Sequence, residues 1–246
     1  MKKYLPLILL GIGILVIVGA FLFVRGRKGG ESEEPEEEIA LLDVALNERP
    51  IVSLTPSEDG HYLYLNIDKI TIDAASLDYE LLYKTEDGVL QGVPGTVDVK
   101  AKDNFEADLL LGSESSGKFR YDEGVEEGTI SLKFRNSQGK LLAKFESEFH
   151  MQTSTDLLTS IDKVFNYELE KESEEFFVAM STVGYPGESP SDVETGPYGI
   201  FSSSPQKVSG TVDLGFDNVY YWDGNNWQKL FENRSSDIGI FFGSTQ

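Results

Sequence analysis

Gly128-Thr-Ile-Ser-Leu-Lys-Phe-Arg-Asn-Ser-Gln-Gly-Lys-Leu-Leu-Ala-Lys-Phe-Glu-Ser-Glu-Phe149 is the stretch on which the fold turns. Ile130, Leu132 and Phe134 alternate with Ser131, Lys133 and Arg135. An apolar period of two marks a half-buried strand, whereas a helix would show a period of 3.6. Asn136-Ser-Gln-Gly139 carries turn chemistry, because Asn and Gly accept the backbone conformations of a tight reversal. Lys140 to Phe149 then returns as the second strand of a hairpin. The class this predicts is mainly β and antiparallel.

The same period extends upstream. Tyr62 to Ile72 reads as a strand, and Leu77 to Tyr83 as another. Thr85-Glu-Asp-Gly88 turns the chain into a return strand from Val89 that is expected to end at Pro94-Gly95. Six or seven short strands over residues 49–152 predict an antiparallel, sandwich-like domain. In architecture alone this is similar to immunoglobulin and fibronectin type III modules. No Cys…Trp…Cys signature accompanies it, and the region holds no Trp.

Residues 153–246 read as a second β-rich domain. Val164–Leu169 and Phe176–Thr182 are expected to pair across Glu170–Glu175, with a helix over Ser160–Glu175 as the competing reading. Gly184–Pro197, dense in Gly and Pro, reads as a long loop. Strands are expected at 198–202, 210–216, 219–222, 227–231 and 238–242.

The N-terminus has a different chemistry. Tyr4 to Val24 contains no charged side chain, and about 20 apolar residues suffice for a helix to cross a bilayer. Residues 1–28 are therefore expected to form a retained membrane anchor, with cleavage after Ala20 as the competing outcome. Residues 29–48, opening with Gly-Gly-Glu-Ser-Glu-Glu-Pro-Glu-Glu-Glu, read as a solvated acidic tether. Ile39 to Leu46 fits a short helix or a first strand equally well. Basic residues flank the apolar run on both sides, so the positive-inside count is nearly balanced. The Met-Lys-Lys start ahead of the apolar run reads as an uncleaved export signal, with the body outside the cytoplasmic membrane.

Charge and composition narrow the function. The chain carries 21 basic and 42 acidic residues, a net −21. Residues 1–28 hold five of the bases and no acid, which leaves 16 bases against 42 acids, or −26, for the remainder. Such a body repels nucleic acid and anionic lipid. With no Cys and two His, disulfides, thiol catalysis and Cys-ligated zinc are excluded. No G-x-S-x-G elbow occurs, and with 42 acids a carboxylate pair arises by chance. No catalytic residue, metal ligand or cofactor is therefore assigned. The acidic loop Tyr121–Gly128 reads as a solvated turn, with calcium binding as the sharper alternative.

One patch stands out as a ligand site. Val219-Tyr-Tyr-Trp-Asp-Gly-Asn-Asn-Trp-Gln-Lys-Leu230 holds both Trp residues, and Asp223-Gly-Asn-Asn226 is a turn that sets them across a hairpin. Tyr220, Trp222 and Trp227 beside Asp223 and Asn225 suit a sugar, whose C–H face stacks on rings while its hydroxyls meet amides and carboxylates. Cross-strand packing of the same rings is the competing role. The expected function is a membrane-anchored, extracytoplasmic structural or interaction protein without catalysis. Its partners would be the membrane and an envelope glycan or surface protein, and no nucleic acid. Two alternatives are a carbohydrate-binding module using the aromatic hairpin and an enzyme with a dispersed carboxylate site.

Overall fold

The computed structural model describes residues 41–245. The expected anchor within 1–28 and the acidic stretch up to residue 40 lie outside the described residues. Among the described residues, no helix is long and apolar enough to cross a membrane.

The described chain is mainly β. It opens with a single 3-10 turn, Leu46–Glu48, ahead of β1 (Ile51–Pro56) and β2 (Tyr62–Asp68). Next come β3 (Ser76–Lys84) and β4 (Leu90–Asp98), then β5 (Phe105–Leu110), β6 (Gly112–Ser115) and β7 (Lys118–Tyr121). The decisive hairpin is β8 (Glu127–Arg135) with β9 (Leu141–Gln152), paired in antiparallel register from Glu127↔His150 to Arg135↔Leu141. Then follow β10 (Thr155–Thr159), β11 (Asn166–Ser173), β12 (Phe177–Ser181) and β13 (Thr195–Ser202). The chain closes with β14 (Gly210–Asp213), β15 (Asn218–Trp222), β16 (Trp227–Lys229), β17 (Arg234–Ser235) and β18 (Ile240–Ser244).

A nine-stranded antiparallel sheet in the order β16-β15-β18-β13-β12-β9-β8-β3-β4 organises the body. Two smaller sheets, β1-β2-β5 and β10-β11-β14-β17, pack on it, and β6-β7 forms a separate ribbon. One core gathers Leu81, Leu132, Phe149 and Met180 of the large sheet against Leu54, Leu65 and Ile67 of the three-stranded sheet. A second gathers Phe177, Ile200, Val219 and Phe241 against Leu158, Tyr167 and Val212 of the four-stranded sheet. Successive side chains on a strand point to opposite faces. Phe177 and Val178 are neighbours on β12 yet belong to different cores. The small sheets therefore cover opposite faces of the large sheet at its two ends. Where they overlap, Phe177 through Met180 are all fully buried. An uninterrupted apolar run is what two-sided burial requires.

Three sequence expectations need correction. β4 does not end at Pro94-Gly95 but runs through both to Asp98, with Pro94 opposite Glu80. β4 is the edge of the large sheet, where a missing N–H is tolerated. Gly95 also has a reason to lack a side chain, since a Cβ there would fall 2.1 Å from the Tyr79 ring. Secondly, 164–169 and 176–182 do not pair. β11 pairs with β10 and β14, whereas β12 pairs with β9 and β13. The acidic corner between them carries the chain from one sheet to the other, because a two-sided apolar segment such as 177–180 is buried only in the middle of the stack. The helical alternative over 160–175 falls too, since Tyr167 and Leu169 are buried and Glu168 and Glu170 exposed, the period of a strand. Thirdly, the strand from Tyr62 ends at Asp68. Lys69 turns at φ 59°, and Ile70 and Ile72 are buried outside any strand.

Candidate functional site

The aromatic hairpin forms as expected, with Trp222 directly opposite Trp227 and their ring centroids 5.5 Å apart. Alternation on β15 sends Tyr221 toward the second core, against Phe241 at 5.2 Å. Tyr220 and Trp222 face the other way. There Tyr220 stacks on Phe242 at 4.9 Å, and Trp227 meets Phe242 edge-on at 4.7 Å. The loop after β12 lies over this face. Trp227 Nε1 donates to the Pro186 carbonyl (2.9 Å), Tyr185 packs edge-on at 6.2 Å, and Gly187 sits so close that a Cβ would meet the Trp222 ring at 3.0 Å. All three rings stay half-buried. Asp223 works within the turn: its carboxylate accepts the Asn225 and Asn226 N–H groups (both 2.8 Å) and the Gln228 amide (3.2 Å). The two backbone hydrogen bonds hold its carboxyl below the usual range. Asn225 is exposed at the tip. The five residues are thus brought together, with the rings clasping a loop and the carboxylate closing a turn.

A larger concavity lies elsewhere. Opposite the first core, the outer face of β4-β3-β8-β9 carries Leu82, Thr129, Ser131, Lys133, Glu146 and Glu148, and adjoining cavities of about 560 and 270 Å³ run along it. Its charges are held in place. Arg135 Nε donates to Asp78 at 2.6 Å, and the Thr96 hydroxyl donates to the same carboxylate at 2.9 Å. The guanidinium is the main reason Asp78 titrates below the ordinary carboxylate range. Lys144 pairs with Glu146 at 2.9 Å while the Ser131 hydroxyl donates to Glu146 at 3.1 Å, and together they lower it. The segment Ser160-Ile-Asp162 walls one end. Burial pushes Asp162 up, but hydrogen bonds from the Ser160 and Tyr198 hydroxyls and the Val164 N–H outweigh it and hold the carboxyl low.

Both histidines line a third cavity, of about 520 Å³, beside Asp59, Asp122, Glu123 and Glu126. His61 Nδ1 lies 2.9 Å from Asp59, which also accepts the Ser57 hydroxyl (2.7 Å) and the His61 N–H (3.1 Å). The Ser57 hydrogen bond leads in taking the Asp59 pKa down to about 2. Ser57 donates to the carboxylate and not to the imidazole, so the trio lacks the nucleophile-to-base contact of a hydrolase. His150 Nδ1 lies 2.8 Å from the Thr159 carbonyl, which requires that nitrogen to carry the hydrogen. In the acidic loop, Asp122 accepts the Tyr83 hydroxyl at 2.9 Å. Among the described residues, no set of three or more His, Asp or Glu is placed to hold a metal ion.

Sequence reasoning did not pick out the residues of the cleft along β4-β3-β8-β9, nor the exposed rings of Tyr64, Phe119 and Tyr121; the acidic loop Tyr121–Gly128, singled out for its carboxylates, supplies Asp122, Glu123 and Glu126 to the third cavity. The Tyr-Leu-Tyr alternation at 62–64 was the available signal. No protein-family model matches the chain, and no curated protein matches it.

Proposed function

We propose that this chain is a membrane-tethered interaction module. Its β-rich body would be displayed outside the cytoplasmic membrane on an N-terminal anchor, as immunoglobulin-like and fibronectin-like modules are. The observation that carries this reading is the cleft on the open face of β4-β3-β8-β9. It presents hydroxyls and carboxylates, with Glu146 fixed by Lys144 and Ser131 and Asp162 fixed by Ser160 and Tyr198. Pre-positioned hydrogen-bonding groups lower the ordering cost of association.

Two experiments test it. Protease added to intact cells, and then to spheroplasts, should digest the body and leave a membrane-bound stub, while a cytoplasmic control survives. Survival of the body in spheroplasts refutes the placement. A photo-crosslinking residue substituted at Thr129 should then give a defined adduct in living cells, and one at Phe231 should not; equal labelling refutes the cleft. A second reading keeps the aromatic hairpin as a carbohydrate site, because Asn225 and the half-exposed rings of Tyr220, Trp222 and Trp227 share one tip. A change in Trp fluorescence on titration with oligosaccharides, abolished in Trp222→Ala, would support it.

A further inference from the structure

The outer face of the three-stranded sheet departs from an ordinary solvent face. On β2, Leu63, Leu65 and Ile67 enter the first core, so Tyr62 and Tyr64 point outward with near-parallel rings 6.5 Å apart. The register sets Asp108 opposite Tyr64 and Glu106 opposite Asn66 on that same outward face. The β6-β7 ribbon adds to the patch. Phe119 and Tyr121 lie on one side of β7, their near-parallel rings 6.1 Å apart, and Glu114 stands opposite Phe119. His61 stacks on Tyr121 at 3.8 Å and is oriented by Asp59. His61 immediately precedes Tyr62 on β2, so its stack on Tyr121 joins sheet and ribbon into one surface. Tyr64, Phe119 and Tyr121 are 43, 48 and 37% exposed. Clustered exposed aromatics of this kind mark interaction sites.

Charge decides what fits. Among the described residues, no Lys or Arg stands on the outward face of β1, β2 or β5. Lys118 and Arg120 occupy the side of β7 away from the rings. An aromatic face attracts cations through its quadrupole, and a carboxylate beside it takes the same cation's N–H groups. Arginine does both at once, because its planar guanidinium stacks and donates in a fork.

We propose that Tyr62, Tyr64, Phe119 and Tyr121, with Glu114 and Asp108, form a docking surface for an arginine-rich segment of a partner protein. This rests on the reading of the body as an interaction module and adds a second surface, separate from the cleft. A neutral sugar would stack on the rings and donate its hydroxyls to the carboxylates, but it brings no positive charge to balance them, which arginine does. Anionic partners are repelled.

The test uses the full-length chain in a detergent without a sugar headgroup, at about 0.15 M salt, where the Debye length of about 8 Å screens diffuse attraction to the acidic body. The probes are deca-arginine, deca-lysine and a neutral gluco-oligosaccharide. Deca-arginine should bind more tightly than deca-lysine. Tyr64→Ala and Phe119→Ala leave the net charge unchanged and should each weaken deca-arginine at least threefold, and the double variant about tenfold. Asp213→Asn, remote from the rings, should leave it unchanged. Equal binding of the two peptides, unaltered by the ring variants, would mean diffuse charge attraction and overturn the proposal. Retention of the oligosaccharide in place of the peptide would also overturn it. Thermal melts of both ring variants within the wild-type range confirm that the fold persists. Neither outcome alters the Thr129 crosslinking result, so the two readings fail separately.

Discussion

Trp227→Ala is the perturbation that tells packing from ligand contact at the aromatic hairpin. The indole meets Phe242 at 4.7 Å, Trp222 at 5.5 Å and Tyr185 at 6.2 Å, and its N–H donates to the Pro186 carbonyl at 2.9 Å. Truncating a fully buried Trp costs about 3–5 kcal/mol. Trp227 is half-buried, which scales the packing loss to about 2 kcal/mol. The lost hydrogen bond adds about 1 kcal/mol. The expected cost is therefore about 3 kcal/mol, and at about 2–4 °C per kcal/mol for a body of this size the melting temperature should fall by about 6–12 °C. The loss should concentrate on one segment. Tyr185 and Pro186 lose their anchor, so limited proteolysis should nick the loop between β12 and β13 before any other site. Trp227→Phe keeps a ring and gives up the hydrogen bond, so it should fall between wild type and Ala. A Trp227→Ala protein that melts within about 2 °C of wild type, with the loop still protected, would refute the packing argument and leave the ring free for a ligand.

Two glycines probe close packing. A Cβ at Gly210 would sit 2.3 Å from the fully buried Tyr167 ring, and one at Gly95 would sit 2.1 Å from the half-exposed Tyr79 ring. Gly210→Ala should cost about 2–3 kcal/mol and Gly95→Ala about 1, because only Tyr79 can swing aside; chemical denaturation reads both. The depressed carboxyls of Asp78 and Asp162 contribute stability that is present above the ordinary carboxylate pKa of about 3.9 and lost as pH falls through their lower native values. Melting temperature should therefore hold from pH 6 to 5 and drop below pH 4. Tyr198→Phe removes one of the donors to Asp162, so it should destabilise by about 1–2 kcal/mol at pH 6 and converge with wild type near pH 2. Met180→Ala empties a fully buried site of the first core at a cost of about 2–5 kcal/mol. Both Trp residues lie at the other end of the large sheet, yet fluorescence and circular dichroism should shift together, since β12 serves both cores; separate transitions would show two independent domains.

What the sequence discloses follows from how many faces a strand buries. The β8-β9 and β3-β4 hairpins each bury one face, so their period of two and their turns, Asn136-Ser-Gln-Gly139 and Thr85-Glu-Asp-Gly88, are legible. β12 buries both faces, and a run such as Phe177-Val-Ala-Met180 carries no period to say which neighbour it takes. The β6-β7 ribbon is exposed along β7, and the four-residue Lys118-Phe-Arg-Tyr121 alternation is too short to announce a strand. Pro94-Gly95 reads as a stop only while its edge position is unknown. At the aromatic hairpin, alternation and turn chemistry placed Trp222 across from Trp227. What escaped was the loop that covers them, because Tyr185 and Pro186 come from some forty residues upstream and nothing local ties them to Trp227. The cleft and the outward tyrosines were hidden for a related reason: a surface is defined by which face another sheet leaves open.

The position of the chain's entry into the body bears on all of this. The Leu42 N–H donates to the Leu142 carbonyl at 2.9 Å and Val44 packs on the first core, so whatever precedes Leu41 joins the body beside the start of β9. From Leu142 to His150 the strand advances eight residues, about 26 Å at about 3.3 Å each. His150 lines the same cavity as His61, whose ring lies on Tyr121. The acidic aromatic surface thus begins at the end of β9 opposite the attachment point.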